Sequence, residues 1–344
     1  MIDAETGTAA LGATPARPPL SLLRRFGPIV VTGLVLALVP LRYGDSRTMM
    51  GIAVSGLLFA AYAVAFNVIF GSTGQLFLCM GALAGFGGYA SAILSDRAGL
   101  PMVLSIGVAA TGSGLLGGMF SWIAVRRSLD VIFTGIVTLT FSLSFAELVL
   151  GQRNLTGGET GLVVDAGSGS FLRDQVPPYF LVLALVMVYL GVYRWLQLSH
   201  IGWAFRALRD DEVAAELAGV NVARYRIYAG IIGSVMLGVA GAVWAHSEGF
   251  IGPSTYAFAH VDVRVLVMLA FGGIGTLLGP VLGAAVFTVV DELLISFAQL
   301  RGVLYGGVIL VLFLFFNRGV IPTLRSLADR VRGFAATTTH RQRP

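Results

Sequence analysis

The sequence predicts an all-α polytopic membrane protein of about 8–10 transmembrane or re-entrant helices with one further helix in the cytoplasm. Three observations predict it. Of 344 residues, 56% are hydrophobic and only 12% charged, and mean hydropathy is +0.84. A water-soluble domain carries about a quarter of its residues as charges, roughly twice this share. The uncharged runs are long, the longest being the 48 residues Thr48–Ser95. Finally, all 23 basic residues are arginine, and they gather at the ends of apolar segments, where they mark the cytoplasmic side by the positive-inside rule.

Residues 1–22 are small, polar and proline-bearing, which predicts a disordered cytoplasmic N-terminus. Arg24 and Arg25 precede the apolar run Phe26–Leu41. No small-x-small cleavage site follows, so an uncleaved first span is expected rather than a signal peptide. Thr48–Ser95 holds two spans divided by the turn-like Gly71-Ser72-Thr73-Gly74-Gln75. Ala98–Val125 is a fourth, ended by Arg126-Arg127, and Val131–Val149 a fifth. A polar loop from Gly151 to Val176 leads to Pro177-Pro178, which suit the start of a sixth span reaching Leu198.

Ser199–Arg226 is the longest charged interval between apolar segments and reads as one cytoplasmic helix plus a turn. Asp210 and Asp211 suit its N-terminus, Glu212 its first turn and Gly219 its stop. A seventh span covers Ile227–Ala245. Val265–Val290 is uncharged but interrupted by Gly272-Gly273-Ile274-Gly275 and Gly279-Pro280. The last span, Gly302–Phe316, leads to Arg318 and a basic tail at 321–344.

With a cytoplasmic N-terminus, Arg126-Arg127, the 199–226 interval and the tail all belong inside, so the number of crossings must be even. The nine visible segments are odd. The repair is a second element within 250–290, half-length or re-entrant, which is tolerated at membrane depth only beside protein or a watery cavity.

The absent lysine excludes a P-loop of the G-x-x-x-x-G-K-[ST] kind, a Schiff-base enzyme and a lysine-dependent kinase. If ATP drives transport, another chain must hydrolyse it. No G-x-S-x-G elbow is present, and the single cysteine, Cys79, lies in an apolar run. His246, Glu248, His260 and Asp262 flank one loop, yet their spacing fits no zinc pattern. The basic balance of +5 reflects topology, so nucleic acid is not expected as a partner.

Four polar groups lie within or at the edges of apolar runs: Asn67, Gln75, Glu147 and Arg264. Such groups mark pathways by default. Glu147 and Arg264 stand near span ends, where snorkelling to the interface removes most of the expense, and interface anchoring is preferred for both. Asn67 and Gln75 suit either interhelical hydrogen bonding or a solute path. Small-x-x-x-small spacings such as Gly81/Gly85, Gly114/Gly118 and Gly279/Gly283 predict close helix packing.

The 199–226 interval places Ala214, Leu217 and Ala218 on one face. A helix lying on a membrane shows a bulkier apolar face. Small apolar groups suit a groove on another protein, so a docking helix is the preferred reading.

The run Arg206-Ala-Leu-Arg-Asp-Asp-Glu-Val-Ala-Ala-Glu-Leu-Ala-Gly219 continuing to Tyr225 resembles the coupling loop of permeases in branched-chain amino acid ATP-binding-cassette importers, the LivM type. The block Gly272-Gly-Ile-Gly-Thr-Leu-Leu-Gly-Pro-Val-Leu-Gly-Ala284 resembles that family's glycine-rich signature. Asn67 with Gly71-Ser-Thr-Gly-Gln-Leu76 and Gly85–Tyr89 resembles its N-x-x-x-G-x-x-GQ-[LI] region, and Thr156–Leu162 resembles its TGG-x-x-G-[LI] loop. The departures are Phe77-Leu78-Cys79-Met80, where the family usually has S-L-G-H, and Arg226 in place of a common lysine.

The resemblance implies a permease domain over 23–320 that is itself no enzyme, in a multi-pass protein of the bacterial cytoplasmic (inner) membrane with both termini cytoplasmic. Its expected partners are a homologous second permease subunit, two ATP-binding subunits, a periplasmic or extracellular solute-binding protein and the lipid bilayer. ATP and Mg would sit on partner chains, with no cofactor and no metal here. Arg209, Asp211, Glu212, Ala215, Glu216 and Gly219 would couple to the ATPase. Asn67, Gln75, Gly272, Gly273, Gly275, Gly279 and Pro280 would line or gate the path. Sister subfamilies handle urea or short amides, and a secondary transporter would also show broken helices and midplane polar groups.

Overall fold

The computed structural model describes residues 22–44, 46–164, 176–295, 297, 300–315 and 319–323. Most of the N-terminal segment, most of the basic tail and residues 165–175 of the polar loop lie outside the described residues. Helices α1 (Leu22–Ala37) and α2 (Val39–Tyr43) form the first traverse, with Pro40 at the start of α2. Then come α3 (Arg47–Thr73), α4 (Met80–Ala98), α5 (Met102–Arg126), α6 (Val131–Gly151), α7 (Arg153–Thr156) and α8 (Val176–Leu198). The 199–226 interval holds α9 (His200–Asp210) and α10 (Glu212–Leu217). The remainder is α11 (Val222–Glu248), α12 (Asp262–Gly272), α13 (Gly279–Ile295) and α14 (Arg301–Phe315). The fold is all-α. Among the described residues the strands are β1 (Leu162–Val163) and β2 (Phe250–Ile251), paired antiparallel.

Six stretches are long and apolar enough to cross a membrane: Phe26–Tyr43, α3, α5, α6, α8 and α11. The most buried is α3, which packs against α8, α11, α12 and α13 and is nearly all apolar over 27 residues. Such an all-round apolar helix belongs in a core. Its ends are set locally: Ser46 caps its start by accepting from Met49 N, and Gly74 stops it at φ +71°.

Contacts between helix ends define two faces of the bundle. The end of α3 meets the start of α11 where Gln75 Nε2 donates to Arg226 O at 2.9 Å. Arg209 brings α9 to that face, and Gly319 returns the chain there, against Gly273. At the opposite face, Arg97 donates to Asn154 O, and β1 meets β2. Between these faces the described chain runs ten times: α1–α2, α3, 74–98, α5, α6, α8, α11, 249–272, α13 and α14. Both of its ends therefore lie on the face of α9 and α10, the even parity that the arginines require. The 250–290 region indeed holds two helices.

Two traverses are helical over only part of their length. Leu78 N donates to Thr138 Oγ1 at 2.9 Å. Thr138 is seven residues into α6, so non-helical 74–79 climbs about 10 Å into the bundle before α4 begins. Likewise 249–261 enters without a helix before α12. The two breaks meet: Asp262, fully buried, accepts from Met80 N at 2.5 Å and Gly81 N at 3.2 Å. A carboxylate at the start of α4 satisfies amides that no helical carbonyl can reach.

Glycine makes the central packing possible at one seam in particular. A Cβ on Gly241 of α11 would stand 1.9 Å from the carbonyl oxygen of Ala84 on α4. Backbones that close gain van der Waals contact that lipid cannot supply.

Candidate functional site

The 199–226 interval is built by caps. Ser199 accepts from Gly202 N at 3.4 Å to start α9, Asp211 from Ala214 N at 3.0 Å to start α10, and Asn221 from Arg224 N at 3.0 Å to start α11. Gly219, at φ +84°, turns the chain between α10 and α11. The single expected helix is thus two, because Asp211 is extended (φ −159°) and its side chain caps a fresh start.

The expected coupling residues divide between two directions. Arg209 turns inward, donating from Nη1 to Gly71 O at 3.3 Å and from Nη2 to Ile274 O at 3.4 Å. Ala215 is buried against its own chain. The expected face of Ala214, Leu217 and Ala218 is extended by Val213. Val213 and Leu217 are 67% and 85% exposed, and Ala214 and Ala218 are exposed beside them. Asp211, Glu212 and Glu216 are exposed too, with Glu212 paired to Arg226 at 2.8 Å.

Arg209 reaches the same structure that holds Asn67. The carboxamide of Asn67 donates to Thr276 O at 2.9 Å and accepts from Gly275 N at 2.7 Å. It is fully buried, and both of its polar ends serve the turn between α12 and α13. Gln75 is committed at one end only, its Nε2 to Thr73 Oγ1 and Arg226 O, while its buried Oε1 has no partner among the described residues. These two side chains hold backbone at the α9 face.

The glycines of this turn make room for that clamp. Gly275, at φ +74°, would place a Cβ 1.7 Å from Arg209 Nη1. Gly272 and Gly279 face each other so closely that a Cβ on the first would stand 1.9 Å from the carbonyl of the second. Gly273 adopts φ +117°, and Pro280 begins α13 behind Gly279, where its missing N–H leaves nothing unsatisfied.

Of the other polar groups, Glu147 is exposed one turn from the end of α6. Arg264 is not at an interface. Its guanidinium lies 3.0 Å from Asp291 of α13 and 5.9 Å from the ring of Phe59, close to the middle of α3. Asp291 was invisible as a partner from sequence, because 27 residues and a broken helix separate the two. His246, Glu248, His260 and Asp262 disperse: His246 Nε2 pairs with Ser91 Oγ at 2.9 Å, whereas Asp262 caps α4. Among the described residues no cluster of histidine, cysteine and acids can hold a metal.

Comparison with known proteins places this geometry. Residues 48–316 match the family described as Branched-chain amino acid transport system / permease component. The chain is 27% identical over 306 residues to the high-affinity branched-chain amino acid transport system permease protein LivM of Salmonella typhimurium, covering 81% of this chain and 71% of that one. It is 22% identical over 258 residues to LivH of the same organism, covering 69% and 82%. A fructose import permease protein, FrcC of Rhizobium meliloti, is 28% identical over 200 residues, 55% of each chain. No solved structure matches.

Proposed function

Because this chain belongs to the family of branched-chain amino acid transport system permease components, we propose that it translocates branched-chain or other hydrophobic amino acids by alternating access. It is a multi-pass membrane permease component and not an enzyme. In this reading it pairs with a homologous second permease subunit in the bacterial cytoplasmic membrane. Two separate ATP-binding subunits dock at the face of α9 and α10, which would be cytoplasmic, and a solute-binding protein delivers solute to the opposite face.

The observation that carries the coupling is the double attachment of the 199–226 interval. Outward, α10 offers Val213, Ala214 and Leu217 as a small apolar face suited to a groove on a partner. Inward, Arg209 grips the end of α3 and the α12–α13 turn together. A displacement of α10 then moves both walls of the bundle as rigid bodies, and rigid-body rocking is a recognised route to alternating access.

The test uses the assembled transporter in proteoliposomes. Replacing Val213 and Leu217 with glutamate removes the apolar face without touching the inward bonds. ATP-driven leucine uptake should fall about tenfold or more while the chain still inserts and folds. Uptake at the parental rate from the V213E/L217E pair would sink the docking assignment.

A further inference from the structure

A cavity of about 610 Å³ opens between α3, α12, α13 and α14, away from α9 and α10. Its lining includes Thr48 and Tyr62 of α3, fourteen residues apart, so it descends about 20 Å from the far face to the middle of the bundle. The floor is apolar, with Tyr62, Met268 and Phe287 all buried. Beside that floor stand Arg264, Asp291 and Glu292.

Two readings compete for these charges. As a structural brace, Arg264 and Asp291 would tie α12 to α13 and be sealed from water. Instead their side chains are 24% and 23% exposed, inside a cavity roomy enough for a small solute. Asp291 accepts from Arg264 at 3.0 Å, and a guanidinium has five N–H donors, so one partner does not exhaust it. Glu292 forms no ion pair among the described residues and adds a carboxylate that a two-member brace does not need. Ionisable groups at this depth are expensive and mark solute paths. A mostly apolar cavity with a few convergent polar groups is the form of a small-molecule site.

We propose that this cavity seats a free α-amino acid on its way through: Arg264 holds the carboxylate, Glu292 the ammonium, and Tyr62, Met268 and Phe287 the apolar side chain. The proposal rests on the transport reading above and names the residues that discriminate a zwitterion from a sugar or an amide.

Trp244 also lines the cavity and supplies the readout, since Trp122, Trp195 and Trp203 lie elsewhere and can be replaced by phenylalanine. The full-length chain in lipid nanodiscs is titrated with leucine, with 4-methylpentanoate, which lacks the ammonium, and with 3-methylbutylamine, which lacks the carboxylate. Trp244 emission should change saturably with leucine. The R264Q/D291N pair removes both charges of the brace together, so neither partner is left without the other. It should weaken leucine and 4-methylpentanoate by about tenfold or more and spare 3-methylbutylamine. E292Q should weaken leucine and the amine and spare the acid. Equal leucine affinity in all three chains would overturn the proposal. So would a silent Trp244 in a chain that performs ATP-driven leucine uptake in proteoliposomes, and there the transport reading would stand. A Trp244 response in a chain without uptake would support the cavity and overturn the transport reading.

Discussion

Asn67→Leu keeps the count of side-chain heavy atoms but replaces both polar ends of the carboxamide with bulkier methyl groups, so it removes two hydrogen bonds and crowds the atoms that made them. The variant deprives Thr276 O and Gly275 N of partners at 2.9 and 2.7 Å, at a position with no exposure. Interhelical hydrogen bonds in membrane bundles average about 0.6 kcal/mol and reach about 1.7, so two well-formed ones contribute about 1–3 kcal/mol. Buried backbone groups left without any partner raise this, since each orphan costs about 1–3 kcal/mol. For a chain of 344 residues a loss of about 2–3 kcal/mol corresponds to a fall in melting midpoint on the order of 3–4 °C. The assay is thermal unfolding in detergent. Gly71→Ala should act in the same direction, because its new Cβ would stand 2.0 Å from Asn67 Oδ1 and drive the carboxamide away. Ser72→Ala is the control, since its only bond to that residue, to Asn67 O, is 3.5 Å long. An Asn67→Leu midpoint within about 1 °C of the parent would refute the clamp.

Gly241→Val should prevent the α4–α11 seam from closing, because the obstacle 1.9 Å from the new Cβ is a main-chain carbonyl that no rotamer change can move. A monodisperse peak of parental size and melting midpoint would contradict that seam. Cys79 is fully buried, so a membrane-permeant maleimide should leave it unmodified in the folded protein and label it after denaturation in sodium dodecyl sulfate. Rapid labelling of the folded chain would mean that the non-helical segment 74–79 is open to solvent.

Apolar run length and arginine placement made the traverses legible, and parity alone demanded the second element in 250–290. Two kinds of feature stayed hidden. The split of 199–226 into α9 and α10 depends on the extended backbone at Asp211, and an aspartate there reads equally well as a cap or a helical residue. The direction of side chains was the other. Ala215 turns inward on α10, which is six residues long and too short for a periodicity to declare its face, and Arg209 reaches back from α9 to Gly71 O and Ile274 O, partners far away in sequence. Arg264 looked like an interfacial anchor because it precedes an uncharged run. The run's first helix begins deep in the bundle, after a non-helical descent that hydropathy does not record.

The clamp at the α9 face has a property bearing on how such proteins diversify. Arg209 grips Gly71 O and Ile274 O, Asn67 grips Thr276 O and Gly275 N, and Gln75 grips Arg226 O. Apart from Thr73 Oγ1, which Gln75 also reaches, every gripped atom belongs to the main chain. Side chains at Ile274 or Arg226 can therefore drift without loosening the grip, whereas the grippers and the close-packed glycines cannot. Selection can then vary the side chains around the clamp while the main-chain geometry that it holds stays unchanged.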